Sequence, residues 1–337
     1  MSDIGVDLHT NSFTVCRLTS RGKERLESYR LKEIARFRKT LRKQDRVAVE
    51  ATGNTRYFMD QIQDRVKEVQ IVDPGRFEVV KRSVKKTDKN DARNLAVFLS
   101  KDMLPQSRKK SKPAVQLNSL AGTRDKLVKQ RTALINKIHN ILNSHGIKYK
   151  KEALGTKKGL DSIWSYDWDA IVHVELEVLS EQILSLNASI KKLDVELKDK
   201  GKGFKGHKNL TSIKGIGDRS ASILLSVIGD VKEFPDSDKL AAYFGIVPRV
   251  SDSNEHQHHG RITKRGSKLG RTTLVQCTLI AKKYSPYLHR YYERMKARRG
   301  SGKAIIATAR KFLKIIYDTL INDWVFADFP NFVLAET

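Results

Sequence analysis

Four carboxylates stand where they could do chemistry. Asp7 lies near the end of the apolar run Ile4-Gly5-Val6-Asp7-Leu8, and Glu50 closes Arg46-Val47-Ala48-Val49-Glu50. Asp88 and Asp91 open a helix-forming segment as Asp-x-x-Asp. An acid in a strand that reads as buried is costly unless it is paired or faces a cation. Residues three apart share a helix face, so Asp88 and Asp91 can address one site. Hard cations such as Mg2+ take oxygen ligands, and a pair of them can clamp the attacking and leaving oxygens of a phosphodiester. The same acids also have an ordinary reading. Asp-x-x-Asp suits the positive end of a helix whatever its role, and Asp7 alone could be a turn residue.

A second group of residues points to phosphate. Leu210 to Gly217 followed by Ser220 to Leu225 reads as a helix–hairpin–helix turn, in which Gly215-Ile216-Gly217 lets backbone N–H groups approach a phosphate beside Lys214 and Arg219. A tight helix–helix connection with an isoleucine in the core is the alternative. From His256 to Tyr292 there is no acid, while Arg261, Lys264, Arg265, Lys268, Arg271, Lys282, Lys283 and Arg290 supply cations among Tyr284, Tyr287, Tyr291 and Tyr292. Cations interleaved with aromatics suit a surface that tracks a nucleic-acid backbone. His256, His258 and His259 lack the second ligand cluster or cysteine that a metal site would need. Ser251 and Ser253 lie just upstream of these cations, where a hydroxyl nucleophile would find help for the non-bridging oxygens.

The elements that must position these groups can be read from the pattern. Apolar and β-branched runs predict strands at Ile4–Leu8, Ser12–Leu18, Leu26–Leu31, Arg46–Glu50 and Val69–Val72. The turn residues Ser20–Lys23 predict a hairpin of the first two strands. A basic helix ending near Arg42, one over Tyr57–Val66 and one over Asp88–Ser100 complete an α/β unit. Pro105 to Pro113 is a basic linker or a phosphate-touching arm. Beyond it Leu117, Leu120, Leu127, Leu134, Ile138 and Ile141 form a helical stripe that includes Arg124 and Arg131. Val172, Leu176, Leu179, Ile183, Leu186, Ile190, Leu193 and Leu197 step in alternating fours and threes, the seam of a coiled coil. Its partner is either the 115–143 helix or a second subunit. Residues 198–208 read as a flexible basic hinge. Helices over 219–228, 237–244, 267–283, 284–297 and 303–320 follow, with an irregular polar stretch at 249–266.

Composition narrows the function class. In 337 residues, 65 Lys+Arg against 38 Asp+Glu give a net charge of +27, which calls for a polyanionic partner, nucleic acid first. No run approaches a membrane span, and the chain opens on a strand and not on a signal peptide. Cys16 and Cys277 are too few for a disulfide framework or a cysteine zinc site, so a soluble protein of a reducing compartment is expected.

The acids in their contexts (Gly5-Val6-Asp7, Val49-Glu50-Ala51-Thr52-Gly53, Lys86-Thr87-Asp88-Lys89-Asn90-Asp91-Ala92-Arg93) resemble those of the DEDD-type insertion-sequence transposases. That family is also the bridge-RNA-guided serine recombinases, with a pilin-gene invertase as a relative. Ile213-Lys214-Gly215-Ile216-Gly217 is similar to a second family motif. Ala242 to Arg249, leading to Ser253 and Gly260-Arg261-Ile262-Thr263-Lys264-Arg265-Gly266, is similar to a third. The sequence departs from the family where Asn254 replaces the glycine after the serine, and where Thr263 replaces a serine.

The resemblance implies an α/β plus all-α protein in three parts. These are a RuvC-like (RNase H-fold) domain over 1–108, a helical coiled-coil region over 109–205 and a mostly helical transposase domain over 206–337. It implies a DNA recombinase in which Ser253, five residues after Pro248, attacks the DNA backbone and stays joined to it, with Ser251 as a minor competitor. Asp7, Glu50, Asp88 and Asp91 would bind Mg2+. Donor and target double-stranded DNA, a non-coding guide RNA and further copies of the chain, as a dimer or tetramer, would be its partners in the bacterial cytoplasm, at the nucleoid. Lys214, Arg219, Arg261, Lys264, Arg265, Lys268 and Arg271 are the expected nucleic-acid contacts, on charge and proximity alone. Two rivals remain: a metal-dependent nuclease acting through water, and a non-catalytic RNA–DNA binding protein.

Overall fold

The computed structural model describes residues 1–77, 87–105, 108, 110–253 and 256–336, with the backbone alone at 75–76, 250–253 and 256–259. The chain divides into two compact units, Met1–Lys109 and Lys110–Thr337.

In the first unit β1 (Ser2–Leu8), β2 (Ser12–Thr19) and β3 (Glu24–Arg30) are followed by α1 (Ile34–Lys39), β4 (Arg46–Glu50), α2 (Thr55–Ile62), β5 (Glu68–Val72), the short α3 (Pro74–Phe77) and α4 (Asp88–Ser100). The described strands form one sheet in the order β3-β2-β1-β4-β5. β1 pairs antiparallel with β2 and parallel with β4, which pairs parallel with β5. The first hairpin exists as expected, but it closes through residues 9–11. The Ser20–Lys23 turn joins β2 to β3 instead, where Gly22 adopts φ +77°.

Period-two alternation gives each sheet face its own core. Ile4, Val6 and Leu8 of β1 join Phe13, Phe37, Phe58 and Ile62 on the face covered by α1 and α2. On the other face Cys16 meets Ala92 and Ala96, and Ala48 meets Leu95 and Leu99, all from α4. Small residues on both sides let this helix lie unusually close to the central strands.

In the second unit α5 (Lys112–Ser144) starts at Ser111, whose hydroxyl accepts from the Ala114 amide, with Pro113 in the first turn. After α6 (Lys157–Asp161) comes α7 (Ala170–Lys202), capped by the Asp169 carboxylate accepting from the Ile171 and Val172 amides. α7 packs antiparallel on α5 of the same chain, so an intramolecular partner covers part of its apolar seam. The cationic positions of the α5 stripe are answered across that contact. Arg124 donates to both oxygens of Asp194 at 2.9 and 3.2 Å, and Arg131 donates to Asn187 at 2.8 Å.

Then follow α8 (His207–Thr211), α9 (Asp218–Ile228), α10 (Ser237–Phe244), the ribbon β6 (Pro248–Ser253) and β7 (His256–Ile262), α11 (Lys268–Tyr284), α12 (Pro286–Arg299), α13 (Ser301–Ile321), and the short pair β8 (Phe326–Asp328) and β9 (Val333–Leu334). Leu224, Leu274, Phe244, Phe312 and Ile316 centre its main core.

Two sequence expectations change here. The 198–208 segment is no flexible hinge: α7 runs through Lys202, and His207 is buried at the start of α8. Gly201 makes this possible, since a Cβ there would lie 1.7 Å from the Ser222 hydroxyl oxygen of α9. The polar stretch at 249–266 is largely an antiparallel ribbon. A two-stranded ribbon can form without the apolar alternation that marks a core strand, so the sequence carried no strand signal there. The Pro105–Pro113 linker is partly placed. Gln106, Ser107 and Lys109 lie outside the described residues, while the Lys110 ammonium donates to the Ser226 carbonyl at 3.1 Å.

Candidate active site

The fold brings the four sequence-predicted acids of the first unit to one end of the sheet. Parallel pairing matches Val6 with Val49, so the next step along each strand sets Asp7 beside Glu50 at the C-terminal ends of β1 and β4. Asp7 is 8 % exposed. On α4, Asp91 is equally buried, whereas the Asp88 side chain is open to solvent. Thr87 starts this helix with its hydroxyl accepting from the Asn90 amide, which puts both acids in the first turn. The helix reaches the sheet because Gly5 has no side chain: a Cβ there would sit 2.0 Å from the Ala92 carbonyl oxygen. Gly5 therefore sets the spacing between Asp7, two residues on, and the acids of α4.

The backbone around Glu50 is also pinned. Thr55 donates from its hydroxyl to the Glu50 carbonyl at 2.7 Å, and the Ala51 amide donates to the Val72 carbonyl at 3.0 Å. Asn54 donates to the carbonyls of His9 and Thr10 at 2.8 and 3.2 Å, tying the start of α2 to the β1–β2 turn.

The electrostatics mark these groups as one cluster. Burial raises the Asp7 carboxyl above its ordinary 3.8; His9 pulls it down, and Asp88, Asp91 and Glu50 each push it further up. The His9 Nε2 lies 3.2 Å from Asp7 Oδ2 and 3.5 Å from Asp88 Oδ2. Asp7, His9 and Asp88 could together offer ligand atoms to one ion. Sequence reading missed His9, although its position two residues after Asp7 at a strand end was a signal for the same face. Gly5, Asn54 and Thr55 were missed too; a glycine inside a buried strand was the available sign of a close backbone approach.

The second unit holds the other predicted residues. Ser253 ends β6, its backbone opposite His256 across the ribbon. The side chains of Ser251, Ser253, His256, His258 and His259 lie outside the described residues, as do Asn254, Glu255 and Lys86 altogether. The base of the ribbon is anchored: Thr263 and Lys264 donate amides to the Val247 and Gly245 carbonyls at 2.9 and 3.0 Å. Gly245 and Gly266 interlock there, with a Cβ on either falling 2.0 Å from a backbone oxygen of Arg265 or Tyr243.

Arg261, Lys264, Arg265 and Lys268 are exposed, while Arg271 spends one N–H on the Phe244 carbonyl at the end of α10 (3.0 Å). Arg219 reaches Asp194 at 3.4 Å, and Lys214 is exposed at the turn before α9. In that turn Gly215 has φ +108° and faces Ala281 of α11, and Ile216 is buried in the core. The Gly215-Ile216-Gly217 turn is therefore a packed helix connection, and Gly217 starts α9 without a side-chain cap.

Comparison with known proteins bears on both units. A family model described as a transposase of the DEDD, IS110 type matches residues 4–147, and one described as Transposase IS116/IS110/IS902 family matches 207–293. The two fall in order along the chain and together take in well over half of it. The chain belongs to the IS110/IS116 family of DEDD transposases.

This transposase is 27% identical over 326 residues to the transposase for insertion sequence element IS1111A of Coxiella burnetii, an alignment covering 94% of this chain and 89% of that protein. It is 26% identical to a probable family 20 transposase of Pseudomonas aeruginosa, over 82% of this chain and 84% of the relative. It is 29% identical to a pilin gene-inverting protein of Moraxella lacunata, over 74% and 71%. Family membership makes it a DNA-cleaving and rejoining enzyme. Among the described residues no helix is long and apolar enough to cross a membrane.

Proposed function

We propose that this transposase cuts and rejoins DNA through a serine–phosphodiester intermediate, using Mg2+ at the acids of its first unit and a non-coding RNA to choose its sites. The observation that carries this reading is the convergence of Asp7, Glu50, Asp88 and Asp91, in which burial and then the three other acids push the Asp7 carboxyl upward. The order β3-β2-β1-β4-β5, with acids at the ends of the two central strands, supports a RuvC-like, RNase H-type domain over residues 1–108.

The donor set fits a hard divalent cation: clustered carboxylate oxygens whose mutual repulsion a cation relieves. Asp7, Glu50, Asp88 and Asp91 would hold it, and when bound it supplies positive charge for the oxygens of a reacting phosphodiester. Gly5 fixes the distance between the strand acids and the helix acids. Asn54 holds the turn that carries His9, and Thr55 holds the strand end that carries Glu50.

Ser253 is the proposed nucleophile of the transposase domain over 206–337, with the helical, coiled-coil region over 109–205 before it. Its Oγ forms a bond to phosphorus as its proton leaves, the bond from phosphorus to one DNA oxygen breaks, and that oxygen takes up a proton. Attack by a hydroxyl of another DNA end reverses the exchange and releases the serine. Exposed Arg261, Lys264, Arg265 and Lys268 surround the base of the ribbon and are the proposed phosphate contacts, with Lys214 and Arg219 near the start of α9 and Arg271 adding its remaining N–H groups. A charge of +27 supports a polyanionic load, here proposed as one RNA and two DNA duplexes, which would also screen the repulsion between copies of the chain in an oligomer at work on nucleoid DNA in the bacterial cytoplasm.

The test incubates purified protein and its co-purified RNA with element-end DNA and Mg2+, then looks for DNA covalently attached to protein. Ser253→Ala should form no adduct, and Asp88→Ala should abolish strand breakage while retaining RNA. An adduct from Ser253→Ala removes the nucleophile assignment. Free DNA ends without an adduct favour hydrolysis by water, and no cleavage at any Mg2+ concentration removes the enzyme reading of these residues.

A further inference from the structure

Helices α12 and α13 of the second unit carry an aromatic and cationic surface that the proposed chemistry does not use. Tyr287 and Tyr291 stand one turn apart on α12, and Lys311 of α13 places its ammonium 4.8 and 4.7 Å from the two ring centroids. Tyr287 is 41% exposed. Its ring meets that of Phe332 edge to face at 5.6 Å, and Phe332 is itself 41% exposed. Phe332 follows a turn in which its amide donates to the Phe329 carbonyl, and it holds φ +57°, a left-handed conformation that a bulky residue adopts only at a cost. The ring also packs on the buried Phe329 and Phe326, with centroids 5.6 and 6.1 Å away, so one part of it caps the core while the rest stays open to solvent.

The charge around these rings is one-sided. Over Pro286–Arg299 the sequence has five Lys and Arg against the single acid Glu293, and α13 adds four more basic residues against Asp318. Lys296, Arg310 and Lys314 are paired with Glu293, Asp238 and Asp318, but the remaining basic residues of the two helices outnumber the acids, so a polyanion with flat apolar faces matches both features better than an apolar protein partner would.

The geometry points to a binding face for unpaired nucleotides, with bases stacking on Tyr287 and Phe332 and Lys311 meeting the phosphate of a stacked nucleotide. Aromatic rings grip every base through its π-face, and lysine adds a sequence-independent charge contact. Paired bases are already stacked within a duplex and cannot use such rings. The face thus suits a single-stranded loop or end, whether of RNA or of opened DNA, and is built from residues other than the acids and the Ser253 ribbon. This inference rests on the reading that the transposase works on nucleic acid, but not on metal chemistry or on the serine.

The test uses the full chain and three fluorescent 12-mers, a single-stranded RNA, a single-stranded DNA and a duplex DNA. Each is titrated at about 0.3 M salt, where the charge-driven background is weakened. Tyr287→Ala should weaken binding of at least one single-stranded probe roughly tenfold, Tyr287→Phe should restore it, and duplex binding should stay within about twofold. Lys311→Gln should lower the salt slope for the same probe by about one. The probe that responds identifies the source of the nucleotides. Tyr287 and Lys311 lie at the surface, and an unchanged melting temperature checks that the variants fold. Single-stranded binding unaffected by Tyr287→Ala, Lys311→Gln and Phe332→Ala overturns the inference. So does an equal loss on duplex, or displacement of the probe by poly-glutamate from wild type but not from Tyr287→Ala, which would mark an acidic-protein site. Loss of cleavage in the serine and acid tests with this binding intact would sink the proposed chemistry and leave this face standing.

Discussion

Replacing Gly5 by alanine tests how the fold builds the acid cluster. The added Cβ would lie 2.0 Å from the Ala92 carbonyl oxygen, 2.5 Å from the Ala96 amide nitrogen and 2.8 Å from the Leu95 Cβ. None of these is the far end of a flexible side chain, so relief requires the whole helix α4 to move. Restoring a separation of about 3.4 Å from Ala92 calls for a retreat of about 1.4 Å, at the edge of ordinary carbon contact. Overpacking of this kind costs typically 1–3 kcal/mol, and two backbone clashes with a third at a Cβ place Gly5→Ala near ~3 kcal/mol. The same retreat draws Asp88 and Asp91 away from Asp7 and Glu50, and a misplacement of about 1 Å in a catalytic array can cost roughly a hundredfold in rate.

Urea unfolding gives the first quantity, and Mg2+-dependent cleavage of a plasmid carrying the element ends gives the second. Gly122 provides a control of opposite sign. It lies exposed inside α5 with nothing within 4 Å of an added Cβ, so Gly122→Ala should stabilise its unit by about 0.5–1 kcal/mol. Wild-type stability and near wild-type cleavage in Gly5→Ala would refute the view that this glycine sets the site's spacing.

Three further outcomes follow from the same contacts. The Asp7 carboxyl is raised above 3.8 by burial and by its acidic neighbours, so its ionised form opposes folding; this penalty is absent below 3.8, grows as pH rises through the raised value and is complete at neutral pH. Asp7→Asn should therefore raise the melting temperature of the metal-free protein at pH 7, while Mg2+ stabilises the wild type and not the variant; a variant that melts lower in EDTA and still responds to Mg2+ contradicts the cluster. Asp194 accepts from Arg124 and also lies 3.4 Å from Arg219, linking α5, α7 and α9, so Asp194→Ala should cost about 1.5–3 kcal/mol in urea unfolding, and a loss below ~0.5 kcal/mol would show that the link is screened away. His9→Ala removes the imidazole that lies against Asp7 and Asp88 and should shift the Mg2+ concentration for half-maximal cleavage by more than threefold; an unchanged metal titration would make His9 a bystander.

What could be read from the sequence divides along physical lines. The strands of the first unit were legible because burial on both faces forces continuous apolar runs, and that made Asp7 and Glu50 conspicuous as charges in the wrong solvent. The seam of α7 was legible for the same reason in helical form, since eight apolar positions in a 4-3 rhythm fall on a single face of a helix. Its partner was not legible, because Arg124 and Arg131 look like solvent residues until Asp194 and Asn187 are seen opposite them. His9, Asn54 and Thr55 were hidden because each acts through a few directed hydrogen bonds or ion contacts, which leave no periodic trace.

Gly5 and Gly201 show the deeper limit. Each matters through the surface of another helix that would strike its missing Cβ, a fact belonging to no local window of sequence. The ribbon at Pro248–Ile262 was missed for the converse reason: its run of Ser, Asp, Gln and His residues shows no apolar alternation. The proposed nucleophile stands on this ribbon, while the acids stand on two strands and a helix set by burial. The two halves of the proposed chemistry are thus positioned by different means, one by packing and the other by the backbone interlock of Gly245 and Gly266. Substitutions at Gly266, where φ is +95°, should therefore impair adduct formation while leaving the Mg2+ response of the acid cluster unchanged, and a parallel loss of both would show that the two parts are not held independently.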